Sequence, residues 1–214
     1  MSIAAPERLL LAGAAGDLEL LIETPSAVPL RAVAVCCHPH PLFGGSLTNK
    51  VIHTVARAFV AQGAATVRFN FRGVGASAGV HDEGRGEFDD LRTIVAWARQ
   101  RWPGLPLWLG GFSFGAWVAL RAAACEQPAL LVTVAPPVGR WDFASIAAPS
   151  CPWLVLQGER DELVDARAVT EYVRGIAPNS TVVSVAAADH FFHGLLAEVR
   201  TAVETFVAAQ ACSE

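Results

Sequence analysis

From residue 30 onward, short apolar blocks alternate with longer segments in which apolar residues recur every three or four positions. The blocks Ala32–Cys37, Leu130–Ala135 and Trp153–Leu156 are almost free of polar side chains. Unbroken apolar runs of this length are typical of central parallel strands that helices cover on both faces. The alternation therefore predicts an α/β protein, a three-layer α/β/α sandwich with a mostly parallel sheet of about eight strands.

The remaining segments fit the same scheme. Arg8–Ala14 and Asp17–Glu23 predict an antiparallel hairpin at the sheet edge. The next helix should start at Ser46 or Thr48 and stop at Gly63, since these residue types favour helix ends. Further elements are expected at Ala65–Phe69 (strand), Glu87–Arg101 (helix), Val169–Ile176 (helix), Thr181–Val185 (strand) and Leu196–Phe206 (helix).

The most informative segment is Gly111-Phe112-Ser113-Phe114-Gly115, which joins an apolar run to an alanine-rich helical pattern. A G-x-S-x-G motif between strand and helix holds its serine on a sharp turn with strained backbone angles. Glycines two positions before and after Ser113 remove the Cβ atoms that would clash there. The amide of Phe114 opens a helix whose N-terminus favours negative charge. The segment predicts Ser113 as a nucleophile.

A serine nucleophile needs a base, and the base needs a third group that orients it. Asp161 lies 48 residues after Ser113, and His190 lies 29 residues after Asp161. Both follow predicted strands, at the edge of a parallel sheet where ligands collect. Glu159 and Asp189 remain open as alternative acids, and His193 remains open as an alternative base.

These motifs resemble those of the α/β-hydrolase superfamily, and the resemblance extends over nearly the whole chain. Gly111–Gly115 is similar to the nucleophile elbow, Gly158–Val164 to the G-x-x-D-x-x-V acid segment and Asp189–Phe192 to the histidine loop. Asn70–Ser77 resembles an R-G-x-G-x-S turn that many members carry. The chain is most similar to small lidless bacterial serine hydrolases related to dienelactone hydrolases and carboxylesterases. The resemblance implies an α/β-hydrolase fold and a triad of Ser113, His190 and Asp161.

An oxyanion hole needs two amides aimed at the carbonyl oxygen on which charge develops. Phe114 should supply one, and the resemblance implies that the other comes from the loop after Ala32–Cys37. Prolines 39 and 41 have no N–H to donate. His40 is therefore the first choice for the second donor, and Leu42 is the second choice.

The connection between the strands ending near Ala135 and starting near Cys151 is only 15 residues long, from Pro136 to Ser150. That length is too short for a helical cap, so we expect no cap domain and an open site.

Apolar residues of the surrounding loops are candidates for a substrate pocket, namely Leu42, Phe43, Trp141 and Phe191. Arg72, Arg85 and Arg160 are possible partners for a substrate carboxylate, although no arginine or lysine has a clear place to act in this way. Small to medium, fairly apolar acyl esters are the simplest substrates.

Composition narrows the class of protein. With 53% apolar residues in 214, we expect a single domain over residues 1–214 rather than a disordered chain. A net charge of −4 argues against nucleic-acid partners and against a basic membrane surface. The five cysteines are odd in number and lack metal-ligand spacing. Together with an N-terminus unlike a signal peptide, they favour the cytoplasm.

The sequence thus predicts a carboxylesterase-like serine hydrolase that needs no cofactor or metal and acts on a small acyl substrate as a monomer or homodimer. A thioesterase or peptidase with the same triad remains open, because a fold does not encode its substrate. A metal-dependent hydrolase built on the pairs His38/His40 and His190/His193 is a rival hypothesis. A non-catalytic binding protein of the same fold is another.

Overall fold

The computed structural model describes residues 3–210, which form an eight-stranded sheet with helices on both faces. The strands are β1 (Glu7–Gly13), β2 (Gly16–Glu23), β3 (Ala32–Cys37), β4 (Ala64–Phe69), β5 (Leu107–Phe112), β6 (Leu130–Val134), β7 (Trp153–Gly158) and β8 (Thr181–Val185). The helices are α1 (Lys50–Ala61), α2 (Arg85–Arg101), α3 (Phe114–Glu126), α4 (Ala166–Ile176) and α5 (Leu196–Gln210).

The strand order is β1-β2-β4-β3-β5-β6-β7-β8. β1 pairs antiparallel with β2 and β2 pairs antiparallel with β4, whereas all pairs from β4 to β8 are parallel. The chain moves outward from β3 in both directions, to β4 on one side and to β5 on the other. Ligands bind at such a switch point, outside the carboxyl ends of the strands. The predicted fold class is confirmed.

The core lies on both faces of this sheet, which is why the central strands have no polar face. In β3, Val33 and Val35 belong to the core layer that includes α2, α3 and α4, whereas Ala34 and Cys36 belong to the layer that includes α1 and α5. Successive side chains of a strand point to opposite faces, so an unbroken apolar run fills both layers. The rigid sheet then fixes where the loops after each strand begin.

The start of α1 differs from the sequence prediction. Asn49 caps this helix, and its side chain accepts hydrogen bonds from the N–H groups of Val51 and Ile52 at 3.0 and 3.3 Å. Ser46 and Thr48 instead bond to each other, with 2.8 Å between their hydroxyl oxygens. Asparagine is as strong a cap as serine, and here it is the residue adjacent to the first turn.

The connection from β6 to β7 contains no helix, and its only bridge joins Val138 to Trp141. The expectation that no cap domain covers the site is therefore confirmed. Within residues 3–210, none of the helices combines the length and the apolar character that a bilayer span requires.

The cysteines in the described part of the chain are free thiols. Cys36 is buried in β3, and burial raises its pKa to about 12. Burial raises the pKa of Cys151 to about 11. These thiols are therefore protonated small hydrophobes rather than nucleophiles. Cys212 lies outside the described residues.

Candidate active site

Ser113 lies at the turn between β5 and α3 with φ 53° and ψ −120°, a region that residues with a side chain rarely adopt. Its N–H donates to the carbonyl of Val134 in the neighbouring strand at 2.8 Å, and its carbonyl accepts from the N–H of Ala116 at 2.8 Å. The strained residue is thus held from both sides by backbone hydrogen bonds.

The two glycines of the turn permit close backbone contacts. A Cβ atom on Gly111 would lie 2.3 Å from the carbonyl oxygen of Gly115. A Cβ atom on Gly115 would lie 2.3 Å from the carbonyl oxygen of Cys37, at the end of β3. Neither approach is sterically possible for a residue with a side chain. The glycines therefore bring the first turn of α3 against both β5 and the loop that follows β3.

His190 lies beside the serine, in the loop after β8. Its Nε2 is 3.0 Å from Ser113 Oγ, and its Nδ1 is 2.8 Å from Asp161 Oδ2. The residue is 3% exposed, and the rings of Phe112 and Phe191 lie 5.2 and 5.1 Å from the imidazole, centroid to centroid. With Nδ1–H donated to the carboxylate, Nε2 is left as an acceptor for the serine hydroxyl.

Asp161 is held in the loop after β7. Its Oδ1 accepts from the N–H groups of Leu163 and Val164 at 2.9 and 2.8 Å, and its Oδ2 also accepts from Gln157 Nε2 at 3.0 Å. Burial alone would raise the pKa of this carboxyl, but the hydrogen bond and charge of His190 and the two amides outweigh it and lower the pKa. Asp161 therefore stays ionised and orients the imidazole.

In the described part of the chain, the alternative acids, Glu159 and Asp189, and the alternative base, His193, form no hydrogen bond with the side chains of Ser113 and His190. Asp189 accepts from the N–H groups of Phe191 and His193 at 3.1 and 3.0 Å, and its Oδ2 lies 2.7 Å from His193 Nδ1. The His193 side chain is 75% exposed. Within residues 3–210, Glu159 makes no hydrogen bond or ion pair with His190. The structure brings Ser113, His190 and Asp161 together. Glu159, Asp189 and His193 lie outside this group.

The loop after β3 is anchored by His38, which is fully buried. Its Nδ1–H donates to the carbonyl of Pro39 at 2.6 Å, and its Nε2 accepts from the N–H of Phe71 at 3.0 Å. Burial lowers the pKa of His38 to about 4, although the bond to Pro39 opposes that shift. A neutral imidazole therefore ties this loop to the segment after β4.

The two candidates for the second oxyanion amide differ in their partners. The N–H of Leu42 donates to His40 Nδ1 at 3.2 Å, so this amide is occupied within its own turn. The backbone N–H groups of His40 and Phe114, by contrast, have no acceptor in the described part of the chain. This difference favours His40.

Ser113 and His190 line an open cavity of about 190 Å³. Phe43, Trp141 and Phe191 line it, as the sequence suggested. Leu42 does not, and that expectation is corrected: in the single 3₁₀ turn Pro41–Phe43, its side chain faces solvent and is 70% exposed. Arg140, which sequence reasoning missed, also lines the cavity. No motif marked Arg140, because only the path of the loop after β6 brings it there.

A second histidine–carboxylate pair, which sequence reasoning also missed, lies beside His40 in the loop after β3. His81 Nδ1 is 2.8 Å from Oε1 of the fully buried Glu87. Glu87 also accepts from the N–H groups of residues 82 and 84 at 3.0 and 2.7 Å. The His81 ring lies 4.8 Å from the His40 ring and 5.7 Å from that of Phe114. Its spacing in the sequence carried no signal for this contact.

In residues 3–210, no three or more His, Cys, Asp or Glu side chains are grouped so that they would hold a metal ion. The metal hypothesis uses His38, His40, His190 and His193. Each of these histidines makes one of the hydrogen-bond contacts described above.

Comparisons with known proteins agree with this architecture. Residues 43–213 match the family model described as "Alpha/beta hydrolase domain". A crystal structure from Xanthomonas campestris, described as an α/β serine hydrolase without lid, is 43% identical, with a TM-score of 0.91 over 95% of this chain and 94% of that one. An α/β serine hydrolase homologue from Coxiella burnetii is 42% identical, with a TM-score of 0.90 over 93% and 96%. An uncharacterized protein of Rickettsia prowazekii (strain Madrid E) is 33% identical over 190 residues, which are 84% of this chain and 79% of that protein.

Proposed function

The chain belongs to the α/β-hydrolase family, and from that premise we propose that it is a carboxylesterase-like serine hydrolase for small to medium acyl esters. The observation that carries the proposal is the continuous chain of contacts from Ser113 Oγ to His190 at 3.0 Å and on to Asp161 at 2.8 Å. Three such groups in this order activate a serine for acyl transfer.

In the first half of the reaction, Ser113 Oγ attacks the acyl carbonyl and His190 Nε2 accepts its proton. Asp161 holds the imidazole in place and stabilises the positive charge that it gains. The amides of Phe114 and His40 stabilise the negative oxygen of the tetrahedral intermediate. His190 then gives the proton to the alcohol oxygen, the ester C–O bond breaks and the alcohol leaves.

In the second half, water attacks the acyl-enzyme carbonyl while His190 accepts a proton from it. The second tetrahedral intermediate collapses, His190 returns the proton to Ser113 Oγ and the carboxylic acid leaves. Water can reach this centre because no cap domain covers it. These steps use only side chains, backbone amides and water, so we propose that the enzyme needs no cofactor or metal. We also propose that it acts in the cytoplasm, because free thiols are typical of proteins in a reducing compartment.

The cavity supports a preference for short acyl groups. Its volume of about 190 Å³ lies below the ~300–1,000 Å³ of pockets that enclose drug-sized ligands. Three aromatic rings form much of its wall: Phe43, Trp141 and Phe191. We expect esters of short acids to be better substrates than esters of long-chain fatty acids.

The direct test is Ser113→Ala. We expect turnover of short-chain p-nitrophenyl esters to fall by about 10⁴-fold or more, with thermal unfolding close to that of the wild type, because the side chain acts on the substrate. Ser26→Ala is a matched control, since Ser26 is exposed in the connection that leads into the amino end of β3. Activity that survives in Ser113→Ala would overturn the assignment. A panel of ester, thioester and peptide substrates then separates the three acyl-transfer activities.

A further inference from the structure

The cavity beside Ser113 contains one arginine and no carboxylate. Within the described residues, no aspartate or glutamate lines it, and most of its wall is apolar or backbone. Burial lowers the pKa of the neighbouring His40, and the proximity of His81 lowers it further, so His40 adds little charge at neutral pH. Arg140 is therefore the permanent charge of this cavity.

The guanidinium of Arg140 is oriented but not neutralised. Its Nε–H donates to the carbonyl of Leu163 at 3.0 Å. Leu163 is in turn fixed by its N–H bond to the carboxylate of Asp161 at 2.9 Å. No ion pair or further side-chain hydrogen bond of Arg140 occurs in residues 3–210. With Nε occupied, the two terminal nitrogens form the remaining edge of the planar fork.

The loop that carries Arg140 is braced by its neighbours. The N–H of Arg140 donates to the carbonyl of Pro137 at 3.1 Å, and Val138 forms an isolated β-bridge with Trp141. The Trp141 ring stacks on that of Trp117 in α3, with 5.8 Å between centroids and 29° between planes. Arg140 thus lies next to a residue, Trp141, that packs against α3, the helix that Ser113 caps.

The other arginines considered from the sequence are not available at this place. Arg72 binds both oxygens of Asp90 at 2.7 to 3.2 Å, and Arg85 pairs with Asp82 at 2.9 Å. Arg160 does not line the cavity. The structure therefore replaces three sequence candidates with a residue that none of the motifs contained.

A planar guanidinium with two free nitrogens matches the two oxygens of a carboxylate better than any neutral group. We propose that Arg140 is a specificity-determining residue that binds a carboxylate of the substrate, so that the preferred substrates are small esters carrying a second, ionised carboxyl group. The proposal rests on the proposed esterase function, which supplies the reaction at Ser113.

The first experiment compares monoethyl glutarate with its neutral counterpart, the same ester in which the free carboxyl is a primary amide. A second pair places the carboxylate on the alcohol side: the butyryl ester of glycolate against that of glycolamide. For the wild type, we expect kcat/KM to be about tenfold higher for the charged member of one pair, the size expected of a charge-assisted bidentate contact that is partly solvated. The pair that shows the preference identifies the side of the ester that faces Arg140.

Arg140→Gln should bring this ratio close to one, and Arg140→Lys should retain part of it. Arg160→Gln removes the same charge from an exposed residue outside the cavity and should keep the wild-type ratio. A ratio near one in the wild type, or one that Arg140→Gln leaves unchanged, would overturn the proposal. A ratio that falls equally in Arg160→Gln would assign the preference to overall charge and also overturn it.

Binding to Ser113→Ala separates failure of this proposal from failure of the esterase function. Calorimetry with the four esters needs no turnover, and the carboxylate ester of the preferred pair should bind about tenfold more tightly than its amide unless Arg140 is also changed to Gln. Selective binding without wild-type turnover would retain the role of Arg140 and overturn the hydrolase assignment. Turnover of neutral esters without selective binding would retain the hydrolase assignment and overturn the role of Arg140.

Discussion

Two histidine–carboxylate pairs lie near the carboxyl ends of the strands, and they differ in the group that the imidazole contacts besides its carboxylate. In the His190–Asp161 pair, the imidazole Nδ1 is 2.8 Å from the carboxylate and Nε2 is 3.0 Å from the serine hydroxyl. In His81–Glu87 the carboxylate distance is also 2.8 Å, but the ring packs against that of His40 at 4.8 Å between centroids. One pair faces the Ser113 hydroxyl, and the other lies against His40 in the loop that carries the proposed oxyanion amide.

The comparison shows that a paired, shielded histidine is not by itself evidence of proton transfer. His190 has one nitrogen at the Asp161 carboxylate and one at the Ser113 hydroxyl, which is the geometry that a general base requires. His81 has only its carboxylate and aromatic neighbours. We therefore expect it to act through His40, as a positioning residue. Geometry at the second nitrogen separates the two roles.

The largest effect expected on this comparison comes from His190→Ala. Removing the base should lower kcat for p-nitrophenyl butyrate by about 10⁴-fold or more. His193 lies three residues further along the chain, and its exposed side chain is paired to Asp189. The kcat of His193→Ala should therefore stay within about twofold of the wild-type value. Steady-state kinetics of the two variants settle the point, and comparable losses in both would contradict the assignment of His190.

The next largest effect concerns His38, which works only as a neutral side chain. Its pKa is lowered to about 4 by burial, whereas an unfolded histidine has a pKa near 6.5. Between these values the unfolded chain binds the extra proton, so the stabilisation is complete above pH 6.5 and is lost as pH falls towards 4. At ~1.4 kcal/mol per pKa unit this amounts to roughly 3 kcal/mol. His40 and His53, whose pKa values burial also lowers, act in the same direction.

Urea unfolding at pH 7.0 and pH 4.5 measures this linkage. His38→Gln keeps an acceptor for the N–H of Phe71 but cannot be protonated. It should be less stable than the wild type at pH 7.0, and the difference should narrow by roughly 2 kcal/mol at pH 4.5. A stability difference that is the same at both pH values would show that His38 is not a buried neutral imidazole.

The smallest effect is expected from His81→Phe. The variant keeps a ring against His40 and Phe114 but removes the nitrogen that lies 2.8 Å from the Glu87 carboxylate. We expect kcat to fall by about three- to tenfold with little change in KM, because the loss acts on the oxyanion amide rather than on ground-state binding. A change confined to KM would instead place His81 in substrate binding and remove the contrast between the two pairs.

The fold and the serine of the candidate triad were predictable because each depends on local patterns. Apolar runs specify strands covered on both faces, and a glycine two positions on either side of Ser113 specifies the strained turn. The start of α1 was predicted wrongly because Ser46, Thr48 and Asn49 are all good caps, and only packing decides which one meets the first turn.

By itself, the sequence determined the order of the strands along the chain, the sharp turn at Ser113 and the short, uncapped connection after β6. These features follow from residue type and spacing over a few positions. Only the tertiary structure decided which acid faces His190, that Leu42 turns away from the cavity and that Arg140, His81 and Glu87 lie near the serine. Such contacts join loops that are far apart in sequence, where the paths of the chain, rather than local preference, set the distances between side chains.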